Sequence, residues 1–200
     1  MKSNFIMDIV FTSGKLFDRL RNIIHNSFKE QKELILQNFS RTANTLDFGC
    51  GAAPFSVIFN PEYYYGVDMD EKYIMFCKRN RNGNFSLIKD SPPYDFNDGF
   101  FDQILISAVV HHLDDATLLL IGHELNRLLS QNGRLIIIDP FTRKNQKSLL
   151  CKILISLDRG HNFRDPDTTI NILSKIFNLN KKHFFKNGPY KFYMLLFTKK

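Results

Sequence analysis

Short, almost wholly apolar runs alternate along this chain with segments whose apolar residues recur every three or four positions. The runs Thr45–Phe48, Tyr63–Asp68, Phe85–Lys89, Phe101–Ser107 and Arg134–Asp139 read as strands. Continuous stretches such as Gln103-Ile104-Leu105-Ile106 suit strands covered on both faces of a parallel sheet. Between the strands, helices are expected near Pro54–Phe59, Glu71–Arg81 and Asp115–Leu129. Leu16, Leu20, Ile23, Ile24, Phe28, Leu34 and Ile35 have the spacing of one or two amphipathic helices over residues 16–38. Farther on, Ser148–Leu157 and Thr168–Phe177 look helical, and Asn187-Gly188-Pro189 signals a turn before a buried strand at Lys191–Thr198. Strand and helix alternating in this way predict a doubly wound α/β fold. One domain is expected, with a helical cap over 1–40, a core over 41–140, and a substrate cap with terminal strands over 141–200.

Composition narrows the class. Two hundred residues, 44% of them hydrophobic, can bury a substantial core. Cys50, Cys77 and Cys151 are odd in number, widely spaced and without metal-ligand spacing, which points to a reduced, cytoplasmic compartment. Asp8 interrupts the first apolar stretch, which makes a poor signal peptide, and no apolar run reaches the roughly 20 residues of a membrane span. The net charge of +7 is uneven: residues 141–200 carry +10 and residues 1–140 carry −3. Such a basic third suits an anionic substrate or nucleic acid, or is a solvated lysine-rich surface. No aromatic stacking motif for nucleic acid accompanies it.

The chemistry gathers where strands end. Asp47, Asp68, Asp90 and Asp139 all stand at or just beyond the ends of candidate strands, the place where open α/β sheets bind ligands. Gly49 and Gly51 supply a turn that a ligand can approach closely, and Asp68 can accept hydrogen bonds from ribose hydroxyls. Asp47 sits two residues before the first glycine, where a carboxylate repels a pyrophosphate and suits a cationic ligand. S-adenosylmethionine has the required ammonium, sulfonium and ribose. Asp90 can accept the adenine amine, with Ser91 and Ser107 lining the same crevice. Taken singly, each acid is equally well explained as a helix cap or turn former.

The set resembles the class I S-adenosylmethionine-dependent methyltransferases over about residues 40–140. Asp47-Phe48-Gly49-Cys50-Gly51 matches their first motif, Gly66-Val67-Asp68 their second strand, and Phe101–Leu113 their fourth strand and following turn. Leu128–Ile138 resembles the helix–turn–strand that comes next. Ala53 replaces a frequent third glycine, and Gln131-Asn132-Gly133 replaces a common Pro-Gly-Gly turn. The resemblance implies a Rossmann-like, mostly parallel seven-stranded sheet with an antiparallel C-terminal strand. It implies S-adenosylmethionine as cofactor, held by Asp47, Gly49, Cys50, Gly51, Asp68, Met69, Asp90, Ser91 and Ser107. His111 and His112 follow the fourth strand and are candidate general bases, packing being the alternative. Leu157–Arg164 is similar to small bacterial methyltransferases of polysaccharide or secondary biosynthesis. That implies a small-molecule or carbohydrate acceptor, with Arg159, His161 and Arg164 as candidate contacts to an anionic substrate. No His/Cys cluster suggests a metal.

Three other readings compete. An RNA methyltransferase would use the basic C-terminal third, and a scaffold would keep the fold without catalysis. A nicotinamide-dependent oxidoreductase is opposed by Pro54 at the third fingerprint glycine and by Asp47.

Overall fold

In the computed structural model, residues 28–141, 162–187 and 190–200 are described. A seven-stranded sheet runs through them: β1 (Thr45–Phe48), β2 (Tyr64–Asp68), β3 (Asn84–Leu87), β4 (Phe101–Ser107), β5 (Leu129–Pro140), β6 (Phe177–Asn187) and β7 (Tyr190–Lys199). The order is β3-β2-β1-β4-β5-β7-β6. Strands β1 to β5 pair in parallel, and β7 runs antiparallel to both β5 and β6. The expected sheet, with one antiparallel C-terminal strand, is therefore present. The order reverses between β1 and β4, so a crevice opens beyond the carboxyl ends of those two strands.

Among the described residues, four α-helices flank the sheet: α1 (Lys29–Leu36), α2 (Glu71–Asn80), α3 (Asp115–Leu128) and α4 (Pro166–Leu173). Alternation along the strands divides the core in two. Leu46, Phe48, Ile104, Ile106, Leu135 and Ile137 face Leu118, Ile121 and Leu125 of α3 and Leu173 of α4. Leu105, Ile136, Ile138 and Met194 face the opposite way, in a cluster with Leu34 and Ile35 of α1 and Ile74 and Cys77 of α2. Each such fully buried aliphatic side chain contributes about 1.5–3 kcal/mol. The two loops that feed the site are closed by caps: Asp70 Oδ1 accepts from Lys72 N (2.8 Å) at the start of α2, and Asp114 Oδ1 accepts from Thr117 N (2.7 Å) at the start of α3.

Several local expectations are corrected. The helix expected over Pro54–Phe59 is a single 3-10 turn, Ser56–Ile58, followed by a second at Pro61–Tyr63. Asn60 caps that second turn and Pro61 opens it, so too little chain is left for an α-helix. The helix expected over Thr168–Phe177 ends at Leu173, and Phe177 begins β6. That strand was not foreseen because Asn178, Asn180, Lys181 and Lys182 leave little apolar alternation. It is an edge strand, and its exposed lysines are the usual protection of such an edge. Of the helices expected over 16–38, α1 is the described part; that over Ser148–Leu157 lies outside the described residues.

Candidate active site

The cofactor side of the crevice is built from β1, β2 and the turn between them. Beyond β1 the chain turns on Gly49 (φ 71°) and Gly51 (φ 52°), and the N–H groups of Gly49 and Cys50 both donate to Val67 O on β2 (2.8 and 2.9 Å). The two glycines have different reasons. A Cβ at Gly49 would lie 2.5 Å from Val109 Cγ2, so the loop after β4 packs directly on this turn. A Cβ at Gly51 would meet nothing within 4 Å: its backbone faces open space, as a cradle for a bulky ligand requires. Ala53 holds φ 50° and is fully buried, so the third position keeps a glycine-like backbone under an alanine. Ala108, beyond β4, is also left-handed (φ 56°). Such backbone outliers gather at functional sites.

Asp68 closes β2 beside this cradle. Its Oδ2 accepts from Gly51 N (2.8 Å) and its Oδ1 from Asp70 N (2.9 Å). Burial pushes its carboxyl above the ordinary range, and these N–H donors oppose the shift. Met69 beside it is exposed. Asp90 and Ser91 are exposed in the loop after β3, Ser91 Oγ donating to Asp90 Oδ1 at 3.4 Å. The start of the next stretch is pinned by α3: Glu124 Oε1 accepts from Tyr94 N (2.8 Å), and Arg127 donates to Tyr94 O and Phe96 O (3.1 and 3.0 Å). Ser107 ends β4, half-buried, opposite Ile138.

Two predicted cofactor residues act from beneath the turn. Asp47 is 1% exposed and accepts a hydrogen bond from the Tyr64 hydroxyl. Burial, then the Asp47 charge, hold the Tyr64 phenol far above its usual range, so it stays a donor. Asp47 therefore offers a ligand its field and not a surface contact. The Cys50 thiol is likewise buried, donating to Gly51 O (3.7 Å) as the Cys77 thiol does (3.2 Å), and is pushed up chiefly by the neighbouring Cys77 thiol and by burial; only its main chain can serve the crevice. Cys50 and Cys77 are both free thiols.

The acceptor side is assembled by side chains. His111 and Asp139 are both buried, with Nδ1 and Oδ1 2.9 Å apart. Phe163 stacks on the His111 ring (centroids 4.6 Å) and His112 packs beside it (4.2 Å). Asn162 N donates to His111 O (2.9 Å), which holds this segment over the loop after β4. The Arg164 guanidinium donates to Asp115 Oδ1 and to the carbonyls of Val110, Asn162 and Leu113, so it ties this segment to the loop after β4 and to α3. Arg159 and His161 lie outside the described residues. The Asp139–His111 pairing, Phe163 and the Tyr64 donor were missed from sequence. Asp139 had given a signal as a strand-end acid and His111 as a candidate base, each by itself. Among the described residues no group of three or more His, Cys, Asp or Glu could hold a metal ion, and no helix is long and apolar enough to cross a membrane.

Residues 46–137, which hold the glycine turn, Asp68 and the loop after β4, match the family model described as a methyltransferase domain. Over that stretch the chain is similar to methyltransferase domains. Solved structures share its fold. The PH0226 protein of Pyrococcus horikoshii OT3 is 18% identical, with all of both chains covered and a TM-score of 0.71. A TehB-like SAM-dependent methyltransferase from Corynebacterium glutamicum is 18% identical over 85% of this chain and 87% of its own, with a TM-score of 0.64. The geranyl diphosphate C-methyltransferase of Streptomyces coelicolor A3(2), solved with Mg2+, geranyl diphosphate and S-adenosyl-L-homocysteine, is 13% identical over 86% of this chain and 77% of its own (TM-score 0.67). No curated protein sequence matches the chain. The open cradle at Gly51 beside the Asp68 carboxylate fits S-adenosylmethionine.

Proposed function

We propose that the protein is an S-adenosylmethionine-dependent methyltransferase that transfers the methyl group to an oxygen or nitrogen of a small molecule or carbohydrate intermediate, in the cytoplasm. The observation that carries the reading is the cover over the acceptor side. Phe163 lies on His111, and Arg164 fixes that segment to the loop after β4 and to α3. A roofed site suits a small acceptor better than a macromolecular surface.

When bound, S-adenosylmethionine supplies an electrophilic methyl group on a cationic sulfur. The chain supplies orientation. Asp68 holds the ribose hydroxyls, Asp90 the adenine amine, and the main chain of Gly49, Cys50 and Gly51 passes beside the ligand. Met69, Ser91 and Ser107 line the crevice, and the buried Asp47 charge favours the cofactor's cationic end. His111 or His112 takes the acceptor's proton where the acceptor keeps one until attack.

Calorimetry with S-adenosylhomocysteine, then a transfer screen across sugars, lipid-linked intermediates and small RNAs, tests the reading. Methylation of a sugar or other small molecule is expected. Absence of cofactor binding by folded protein overturns it. A second reading, RNA methylation, is favoured by Lys181, Lys182 and Lys186 standing exposed on β6. RNA binding that weakens steeply with salt, followed by RNA methylation, would displace the first reading.

A further inference from the structure

His111 and Asp139 are 28 residues apart in sequence, yet the structure pairs them in the core, 2% and 0% exposed. Burying a carboxylate is costly unless a donor meets it. The imidazole is the group that does so, through Nδ1 at 2.9 Å from Asp139 Oδ1. A carboxylate at that distance accepts, so Nδ1 carries the proton and a neutral ring keeps its lone pair on Nε2. The ring cannot turn over to exchange the two nitrogens, because Phe163 stacks on it and His112 packs against it. The loop that carries His111 is itself fixed at both ends. Val109 seats on Gly49 of the cofactor turn, and Arg164 and Asn162 bind the Val110 and His111 main chain.

We propose that Asp139 is a positioning residue: it sets His111 as the Nδ1–H tautomer, with Nε2 the proton acceptor for the group that receives the methyl. This rests on the function proposed above and assigns the base to His111 in preference to His112. Among the described residues, the charged and titratable groups around the ring include Asp139 on β5, Tyr193 of β7 behind it, His112 on the same loop, and Arg164 with Asp115 across the cover. The inference also explains an acid at the end of β5 that no cofactor contact requires. Asp139 points to the α3 side of the sheet with Leu135 and Ile137, whereas Asp47 lies on the other side with Tyr64.

The test needs no identified acceptor. The full chain, labelled with 15N-histidine, is titrated alone, with S-adenosylhomocysteine and with S-adenosylmethionine. The His111 signals are expected to show a protonated Nδ1 and a bare Nε2. If Nε2 faces the methyl donor, the sulfonium charge lowers the imidazolium midpoint by roughly one pH unit relative to S-adenosylhomocysteine, which lacks that charge. Asp139→Asn, whose amide can donate to Nδ1, is expected to move the proton to Nε2 and lower the midpoint in all three states. A His111 midpoint equal with the two ligands overturns the inference even where both bind, and so does an Asp139→Asn protein with the wild-type tautomer. Should the variant fail to fold, the two-ligand comparison on the wild-type chain decides alone. Failure of either ligand to bind would instead strike the function itself.

Discussion

Beyond β1 and β2 the crevice is walled by main chain, and beyond β4 and β5 it is walled by side chains. On the first side the N–H groups of Gly49, Cys50 and Gly51 are all spent on Val67 O and Asp68. A ligand there meets one carboxylate and a backbone with no Cβ in the way. On the second side His111, Asp139, and the neighbours Phe163 and Arg164 come from three places in the chain, and each is held by another. The first construction suits a cofactor that never varies. The second lets the acceptor pocket change by single substitutions while the sheet stays as it is, which is why fold and cofactor leave the acceptor open.

If the two sides are separately built, damage to one should spare the other. The largest effect is expected at Arg164→Ala, which strips donors from the Val110 and Leu113 carbonyls and leaves Asp115 alone. Asp115 is largely exposed, so the cost comes mainly from the orphaned carbonyls, about 3 kcal/mol in all. Thermal unfolding should fall by roughly 6–12 °C, while calorimetric affinity for S-adenosylhomocysteine in the folded protein stays within about threefold. Loss of cofactor binding together with the cover would break the comparison. The reverse is expected of Asp68→Ala. Two charge-assisted hydrogen bonds to a ribose, about 1.5 kcal/mol each, correspond to a loss of roughly 100-fold in affinity, with the His111–Phe163 cover unchanged in histidine NMR spectra.

The same division explains what could be read in the sequence. The cofactor side is local: Asp47 to Gly51 is one short segment, and Asp68 ends the next strand, so a turn motif and a strand-end acid were enough. The parallel core was equally readable, because Ile104–Ile106 and Leu135–Ile138 are apolar without interruption. The acceptor side depends on pairings across 28 residues (His111–Asp139) and 49 residues (Arg164–Asp115). No periodicity reports such contacts, and a basic residue near a site, such as Arg164, looks the same in sequence whether it faces outward or inward. Strand β6 escaped for a related reason: an edge strand buries little, and its lysines serve to discourage pairing with another chain.

The two glycines sharpen the cofactor side itself. Gly49→Ala forces a methyl group against Val109 at 2.5 Å in a left-handed backbone, so it should cost about 2–3 kcal/mol of stability. Gly51→Ala meets no atom, so only the left-handed strain of about 1 kcal/mol applies to the fold. Its methyl group nevertheless enters the space left for the ligand, and affinity for S-adenosylhomocysteine should fall by about tenfold or more. Denaturant melts and calorimetry on both variants check the inversion: equal stability losses would mean that the Gly51 cradle is not open.

The smallest effect is one of pH, and it separates the two sides without a mutation in either. In the proposed role Asp68 accepts two ribose hydroxyls as a carboxylate, and burial holds its carboxyl above the ordinary carboxylate value of about 3.9. Cofactor affinity is therefore full above the raised value and declines as pH falls through it, by up to about tenfold per pH unit beyond. The decline should begin at a higher pH than an ordinary aspartate would give, and S-adenosylhomocysteine calorimetry from pH 8 downward measures it. Asp68→Asn, already weak, should show a flat profile over the same range. His111 stands on the acceptor side with Asp139, so His111→Gln should leave the profile of S-adenosylhomocysteine affinity where it was. A profile that moves with His111 and not with Asp68 would place the titrating group across the crevice and merge the two sides into one.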